Sequence, residues 1–359
     1  MFASFGLSLL IFFLVLQGKY WLFAFNHLKL APKSPGHQPA EPVSVIVCAR
    51  NARVELERNL ESLLTQSYPV YEIILVDDDS SDGTETWASQ ILTQYKHLRY
   101  YRHQKTRPGK KDALAFGVSK ARYDWLALTD ADCRATSSHW LSRMMARTGG
   151  SVRIVLGYAP FFKEPGALNA FIRFEGLLTA IQYLSAAAGK FPYMGTGRNL
   201  LYHKSIFDAK AMNEQLPYGD DDLLVGAKAT PGNTAVCLDA EAFMYSAAAS
   251  DYRDYFRQKR RHYAASLHYS FGMQLLLALY MISMLGFSIG LILLLITGWW
   301  AYALGLLVVQ LALTWPFFCK LSGRLLQKDL CFLFPLLLVI YQIHLVLQAP
   351  YLAIRKKGW

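Results

Sequence analysis

Aspartates follow two strongly apolar segments of this chain, and their spacing suggests chemistry. The segment LALTDADCRA (Leu126–Ala135) carries Asp130 and Asp132, separated by one small residue. The segment ILVDDDSSDGT (residues 74–84) carries three aspartates in a row. Carboxylate oxygens are hard ligands that suit Mg²⁺ or Mn²⁺, and such an ion can bridge the phosphates of a nucleotide. A DxD triplet alone is weak evidence for a metal site, because many loops carry two aspartates.

The segments around these aspartates are predicted to be strands that alternate with helices. Apolar, β-branched segments such as VSVIVCAR, YEIILVDDDS and DWLALTDAD are typical of buried strands. Between them, RVELERNLESLLTQ, GTETWASQILTQY and KKDALAFGVSKA are predicted to be helices. This alternation predicts an α/β fold with a parallel sheet covered on both faces. Ligands of such sheets bind at the carboxyl ends of the strands, where the aspartates are expected to line a crevice.

The composition separates a polar centre from apolar ends. Of 359 residues, 53% are hydrophobic, and they are concentrated near the two ends of the chain. The centre, of about 200 residues, is long enough for a sizeable core. The net charge of +11 favours an anionic partner. The basic clusters RPGKK and RQKRRH lie beside apolar segments, which favours nucleotide phosphates and lipid headgroups over nucleic acid.

Four apolar stretches are predicted to cross a membrane, which takes about 20 helical residues. They cover residues 2–25, 273–296, 300–319 and 330–352. The first lacks the basic start and the small-residue cleavage site of a signal peptide, so we interpret it as an anchor helix. A cleaved signal is the alternative.

The charges between the last two stretches predict the orientation. Lys320, Arg324 and Lys328 are expected to be cytoplasmic, which places the central domain in the cytoplasm and the N-terminus outside. The protein is then expected in the inner membrane, in contact with its lipids. With four crossings the basic tail RKKGW lies outside, against the positive-inside trend. Either this short tail is tolerated, or the last stretch does not fully cross.

The five cysteines are expected to be reduced. They are Cys48, Cys133, Cys237, Cys319 and Cys331, and none forms a CxxC pair. An odd count without close spacing argues against a disulfide framework or a zinc site.

The order of several motifs resembles one enzyme family. VIVCARNA, ILVDDDSSDGT, RPGKKDAL, LTDAD, GTGRNLLYHK, YGDDDL and QKRRH follow one another over residues 43–269. This series is similar to the inverting family 2 glycosyltransferases, in particular the membrane-embedded branch of hyaluronan, chitin and cellulose synthases and ceramide glucosyltransferases. The resemblance implies a Rossmann-like GT-A domain, flanking transmembrane helices, a UDP-sugar donor and Mg²⁺ or Mn²⁺.

The resemblance also assigns the nucleotide pocket. Asp77 and Asp78 match the acidic motif that contacts the uracil and ribose, and Arg50 lies where the family's pocket begins. Lys110 is expected near the uridine or the diphosphate, as a point charge. Outside this context, Lys110 and Lys111 would be interpreted as a solvated helix start.

The resemblance assigns metal binding to a second acidic motif and the general base to a third. Asp130 and Asp132 match the DxD motif, with Asp132 as the direct metal ligand, while Cys133 is expected to pack rather than ligate. Asp221 matches the general base of the family, with Asp220 as the next choice. The alternative is that these aspartates cap the helix that follows them.

Gln258 and Arg261 match the family's QxxRW motif, in which the arginine faces the diphosphate. His262 replaces the tryptophan, which puts the handling of the acceptor in doubt. The alternative is a basic interfacial helix that touches anionic lipids.

These inferences divide the chain into five parts. We expect a transmembrane anchor (1–30), a linker (31–42), a cytoplasmic GT-A domain (43–248), an amphipathic interfacial helix (249–271) and about three transmembrane helices (272–359).

The predicted function is inverting transfer of a sugar from a UDP-sugar to a lipid-linked or saccharide acceptor at the cytoplasmic membrane face. A processive polysaccharide synthase of the same family and a non-catalytic membrane scaffold that retains a sugar-nucleotide fold are the alternatives.

Overall fold

The computed structural model describes residues 2–30, 41–105, 109–208 and 220–353. Most of the predicted linker lies outside these residues. The strands are β1 (Val43–Ala49), β2 (Tyr71–Asp78), β3 (Leu98–His103), β4 (Trp125–Asp130), β5 (Cys133–Ala135), β6 (Ile154–Leu156), β7 (Leu200–His203), β8 (Thr234–Val236) and β9 (Met244–Ser246). The helices are α1 (Phe2–Leu30), α2 (Arg53–Asn59), α3 (Glu61–Leu64), α4 (Thr84–Leu92), α5 (Lys111–Lys120), α6 (Trp140–Met145), α7 (Ala167–Ala188), α8 (Asp220–Lys228), α9 (Tyr252–Ser266), α10 (Phe271–Ile296), α11 (Trp300–Arg324) and α12 (Leu330–Ala353).

Seven strands form one mixed sheet in the order β3-β2-β1-β4-β7-β6-β8. The first four strands are parallel, which confirms the predicted α/β class. The predicted parallel arrangement does not extend to the rest of the sheet, because β7 is antiparallel to both β4 and β6. Its first residue, Leu200, pairs with Leu128 near the carboxyl end of β4. The loop that precedes β7 therefore reaches the same sheet edge as the DxD motif.

Helices cover both faces of the sheet, so alternate residues of each central strand enter different cores. Ile46 and Val76 pack on the face covered by α5 and α7, whereas Val45 and Leu75 pack on the face covered by α2 and α6. Close packing fixes α5, since a Cβ at its Gly117 would lie 2.9 Å from Ile46 Cγ2. This contact sets the position of the lysines where α5 begins.

Within the described residues, four helices are long and apolar enough to cross a membrane. These candidate spans are Gly6–Lys29, Phe271–Ile296, Trp300–Arg324 and Leu330–Ala349, in agreement with the four predicted stretches. Gln17 of α1 is buried among them, and its Nε2 donates to the backbone oxygen of Ser283 at 3.0 Å. Gln310 Nε2 donates to Gln17 Oε1 at 2.8 Å, so three helices share a satisfied polar contact in an apolar setting.

The turn between α11 and α12 departs from two expectations. Helix α11 continues to Arg324, so Lys320 and Arg324 lie in the helix rather than in the connection. Cys319 and Cys331, which were expected to be reduced, form a disulfide. A short turn between α11 and α12 reverses the chain and brings the two cysteines together, with their Cα atoms 4.8 Å apart. This proximity was not visible in the cysteine spacing.

The same turn contacts the central domain. Arg173 of α7 is buried and donates to both carboxylate oxygens of Asp329, at 2.7 and 2.8 Å. It also donates through Nε to Gln327 Oε1 at 2.8 Å. The central domain and the α11–α12 turn therefore lie at the same end of the helical bundle.

Candidate active site

A cavity of about 560 Å³ lies at the carboxyl ends of the parallel strands and is covered by α9. This volume is within the usual range for small-molecule sites. Most of the residues predicted for the site line it. The predicted residues in its wall are Arg50, Asp78, Lys110, Asp130, Asp132, Asp221, Gln258 and Arg261.

The two aspartates of the first acidic motif differ in position, since one lines the cavity and the other is buried behind it. Asp78 lines the cavity, 3.2 Å from His103 Nδ1 and ion-paired with Lys105. Asp77 is fully buried and is not part of the cavity wall. It accepts hydrogen bonds from the Tyr100 hydroxyl at 2.6 Å and from the Ser80 N–H at 2.8 Å. Asp77 thus fixes the turn that carries Asp78, whereas direct nucleotide contact had been predicted for it.

The ends of β1 and β2 are tied together beside the cavity. The backbone N–H of Asn51 donates to Ser80 Oγ at 2.9 Å, and Ser81 N–H donates to Asn51 Oδ1 at 2.8 Å. These bonds hold the segment that exposes Arg50 at the cavity wall.

Lys110 connects the second and third acidic motifs. It immediately precedes α5, so the alternative of a helix start also describes its position. Its Nζ lies 2.9 Å from Asp130 Oδ1 and 3.5 Å from Asp221 Oδ2. Burial is the largest single influence and opposes ionisation of Asp130, but the charge and hydrogen bond of Lys110, together with the charges of Arg198 and His262, hold the pKa of Asp130 below its ordinary value.

The donor atoms of the DxD segment fit a hard divalent cation. Asp130, Asp132 and Cys133 each place a ligand atom within 4.8 Å of the others. Burial, followed by the nearby carboxylates of Asp132 and Asp130, raises the pKa of the Cys133 thiol, which keeps it protonated. Its Sγ donates to Asp132 Oδ1 at 3.5 Å. Two carboxylates beside a protonated thiol suit Mg²⁺ or Mn²⁺ rather than a thiolate-binding metal.

Asp221 lies near the start of α8, deep in the cavity wall and 8% exposed. Burial raises the pKa of Asp221, and the charge of Asp130 adds to this, while Lys110 and the Gly197 N–H oppose it. Its Oδ1 is buried and has no hydrogen-bond partner among the described residues. A Cβ at Gly197 would lie 1.7 Å from Asp221 Oδ2, so glycine makes room for this carboxylate. Asp220 begins α8, but its side chain lies outside the described residues.

Helix α9 lines the cavity and packs against α7. Gln258, Arg261 and His262 line the cavity, as the QxxR spacing predicted for the first two. Where α9 packs against α7, Lys259, which also lines the cavity, is 7% exposed and pairs with Glu175 of α7, which is 2% exposed. This buried ion pair fixes the rotation of α9, so that its polar face is turned towards the cavity.

The sequence analysis did not assign roles to other polar side chains in the wall. Lys105 pairs with Asp78 but stands in a segment without a recognised motif. Arg198 stands in the GTGRN segment, whose glycines indicated a close approach without identifying the arginine. Ser246 also lines the cavity, and strand pairing between β5 and β9 places it opposite Cys133.

Comparisons with known proteins show that part of this chain is similar to one enzyme family. Residues 44–207 match the family model described as glycosyl transferase family 2. A poly-beta-1,6-N-acetyl-D-glucosamine synthase from Staphylococcus epidermidis is 28% identical over 138 residues, covering 35% of this chain and 32% of the relative. A GalNAc(5)-diNAcBac-PP-undecaprenol beta-1,3-glucosyltransferase from Campylobacter jejuni is 27% identical over 188 residues, covering 51% of this chain and 58% of the relative.

One solved structure is similar over nearly its whole length. A mannosyltransferase from Pyrobaculum calidifontis, solved with GDP-Man and Mn²⁺, has a TM-score of 0.61 and 16% sequence identity. The alignment covers 96% of this chain and 99% of that chain, and at this identity it establishes the fold. The chain spans about a third of the first curated relative and somewhat more than half of the second. The motif order and the sheet agree with this match: residues 44–207 match glycosyl transferase family 2 on a fold of the GT-A type, and in the described part of the chain four apolar helices of membrane-spanning length lie on either side of it.

Proposed function

We propose that this protein is a membrane-bound inverting glycosyltransferase that moves a sugar from a UDP-sugar to a lipid-linked or saccharide acceptor. One observation carries the proposal: Asp78, Asp132 and Asp221, from three separate segments, line a single cavity against α9. A structural acidic surface would not bring three such segments around one cavity whose wall holds three arginines, Arg50, Arg198 and Arg261, that form no ion pair with the described residues.

The cavity offers distinct groups to each part of a nucleotide sugar. Asp78 and Arg50 lie at the ends of β1 and β2, where the nucleoside would bind. Lys110 and Arg261 supply positive charge for the diphosphate. Asp130 and Asp132 would hold Mg²⁺ or Mn²⁺, which neutralises charge on the leaving diphosphate when bound.

Asp221 is assigned as the general base. Inversion requires a base that takes the proton from an acceptor hydroxyl as its oxygen attacks the anomeric carbon. A buried carboxylate with a raised pKa and one unpartnered oxygen suits this task. Lys110, 3.5 Å from Asp221 Oδ2, stabilises the ionised form before the proton arrives. Asp220 precedes the base in the chain and remains the second choice.

The acceptor is proposed to arrive along the membrane. Helix α9 closes the cavity on one face, and on the other its Tyr252 hydroxyl lies 2.9 Å from His344 Nδ1 of α12. The site is therefore adjacent to a candidate span. The names of the relatives support both acceptor classes, one being a polysaccharide synthase and the other acting on an undecaprenol-linked saccharide.

The domain division and the orientation are also part of the proposal. The anchor, catalytic domain, interfacial helix and C-terminal helices follow the ranges given above, with the catalytic domain in the cytoplasm beneath the inner membrane. Arg173 ties that domain to the α11–α12 turn, which carries Lys328 and so favours the cytoplasmic side. Disulfides are rare in the cytosol. In this orientation we therefore expect Cys319 and Cys331, which the structure pairs, to be reduced in the cell and to react with thiol reagents, and a pair that reacts only after a reductant is added would contradict the orientation.

Sugar transfer into lipid extracts tests the proposed function. Membranes are incubated with a panel of labelled UDP-sugars and with GDP-mannose, and the lipid-soluble products are analysed by mass. We expect transfer from a UDP-sugar that is lost in Asp132→Ala and Asp221→Asn but retained in Asp254→Asn, a control at an exposed aspartate of α9 that does not line the cavity. Unchanged cellular function in the first two variants would favour a scaffold, and ladders of oligomers would favour a processive synthase.

A further inference from the structure

Arg198 is a cation in the cavity wall to which the family motifs give no role. It stands two residues before β7, and the antiparallel pairing of β7 with β4 places this loop at the edge that carries the DxD motif. The guanidinium lies beside the DxD segment, because it donates to Ser246 Oγ and Ser246 pairs with Cys133, the residue that follows Asp132. It therefore lies where the reacting end of a donor would be.

Two neutral contacts fix the Arg198 side chain. Its Nη1 donates to Ser246 Oγ at 2.6 Å, and its Cζ lies 4.4 Å from the centre of the Phe161 ring. Ser246 is fully buried and is held in the β5–β9 pairing. The Phe161 ring is in turn braced by α7, where a Cβ at Gly176 would lie 3.0 Å from it. The guanidinium is thus oriented before any substrate binds.

The charge of Arg198 is not balanced by a carboxylate contact. Within the described residues, no carboxylate oxygen lies within 4.0 Å of its guanidinium, whereas Lys105, Lys110 and Lys259 of the same wall each form an ion pair. Arg50 and Arg261 also lack an ion pair there, but both are exposed, and Arg198 is only partly so. A partly desolvated cation held by a hydroxyl and a ring is stabilised when an anion binds.

We propose that Arg198 binds a phosphoryl group in the reaction complex, either in the donor diphosphate or on a phosphate-bearing acceptor. The inference rests on the proposed function, since it takes the cavity to be the transfer site. A planar guanidinium offers two parallel N–H groups to phosphate oxygens, which an ammonium does not. Arg198 is accordingly assigned to specificity for phosphate, whereas Asp221 acts on the acceptor proton.

Binding measurements on the full-length protein in nanodiscs test this assignment. The probes are UDP and uridine, or GDP and guanosine if the wild type binds these instead, together with a polyprenyl phosphate and the matching polyprenol. The variants are Arg198→Gln and Arg198→Lys. The control is Arg134→Gln, because Arg134 stacks in the same way on Phe162, at 4.7 Å, and does not line the cavity.

We expect Arg198→Gln to weaken one phosphate-bearing probe about tenfold to a hundredfold, as for a lost charge-assisted hydrogen bond. Its nucleoside or polyprenol counterpart should bind as in the wild type, and Arg198→Lys should recover only part of the loss. Weaker binding of the nucleotide would identify the donor as the source of the bound phosphoryl group. Weaker binding of the polyprenyl phosphate would identify the acceptor as that source. Equal affinities for all probes in Arg198→Gln and the wild type, or equal weakening of a probe and its phosphate-free counterpart, would overturn the assignment.

The result of this binding test can be distinguished from a failure of the proposed function, because the test measures binding rather than sugar transfer. A wild type that transfers no sugar, with a phosphate-selective loss in Arg198→Gln, would refute the activity and retain the anion site. A second variant, Ser246→Ala, leaves the charge in place but removes the hydroxyl that orients it. We expect a smaller loss for the same probe, with thermal unfolding equal to that of the Arg134→Gln control.

Discussion

Gly197→Ala should disable transfer by displacing the proposed base rather than by unfolding the protein. Gly197 is not among the glycines with positive φ, so alanine is compatible with its backbone. The new Cβ would lie 1.7 Å from Asp221 Oδ2 and 2.4 Å from Cγ. Restoring a 3.0 Å contact requires the carboxylate to move by about 1.3 Å. A misplacement of about 1 Å can cost about a hundredfold in rate, so we expect that loss in kcat.

The assay is the initial rate of sugar transfer, measured beside UDP affinity and thermal unfolding. UDP affinity should change little, because Asp221 is assigned to the acceptor proton. Gly232→Ala is the matched control, since its Cβ would meet nothing within 4 Å. In an Asp221→Asn background, Gly197→Ala should cause no further loss, because both changes act on one carboxylate. A kcat equal to that of Gly232→Ala, or independent losses in the double variant, would refute the reasoning.

Three further predictions concern contacts that hold the site in place. Glu175→Gln leaves Lys259 buried without its partner and should cost about 3–5 kcal/mol of stability, seen as a lower Tm. The double variant Glu175→Gln with Lys259→Met should recover much of that loss, and equal Tm values for the single variant and the wild type would contradict the argument. The Arg173 hydrogen bond holds the pKa of Asp329 at about 2, below its ordinary 3.8. The stability that the ionised Asp329 gives the folded protein is therefore fully present above its ordinary pKa of 3.8 and is lost as the pH falls through about 2. The Tm of Asp329→Asn should accordingly depend less on pH over that range. Chelation of divalent ions should abolish transfer, Mg²⁺ or Mn²⁺ should restore it, and Asp132→Ala should not respond to either addition.

The sequence predicted the parts of the site that depend on strand ends. Asp130 ends β4 and Asp132 lies in the turn that follows, so both stay at the carboxyl end of one strand. Asp78 ends β2 and Lys110 immediately precedes α5, and the periodicity of both elements was clear in the sequence. Parallel strands β1 to β4 then bring these residues to one edge without any information from distant contacts.

The sequence could not predict which neighbour in a run of aspartates faces the cavity. Asp77 and Asp78 differ by one position, and successive side chains of a strand point to opposite sides. The turn bonds of Asp77 with Tyr100 and Ser80 settle the choice, and they depend on the pairing of β2 with β3. No local pattern encodes that pairing.

Long-range contacts explain the remaining differences. Arg198 reaches the DxD edge only because β7 is antiparallel, and its orientation depends on Ser246, 48 residues further along the chain. Cys319 and Cys331 are 12 residues apart and pair because α11 ends later than its apolar stretch suggested. Each case requires knowledge of where separate elements meet, which composition and periodicity do not contain.

The central claim is that three acidic segments surround one nucleoside diphosphate beside the membrane. A cryo-EM structure of the full-length protein in nanodiscs with UDP and Mn²⁺ tests it most directly. We predict nucleotide density in the cavity against α9. The diphosphate and the ion should lie beside Asp132, and the uracil ring should lie within reach of Asp78. Nucleotide density at another surface, with Asp78, Asp132 and Asp221 turned away from it, would contradict the claim.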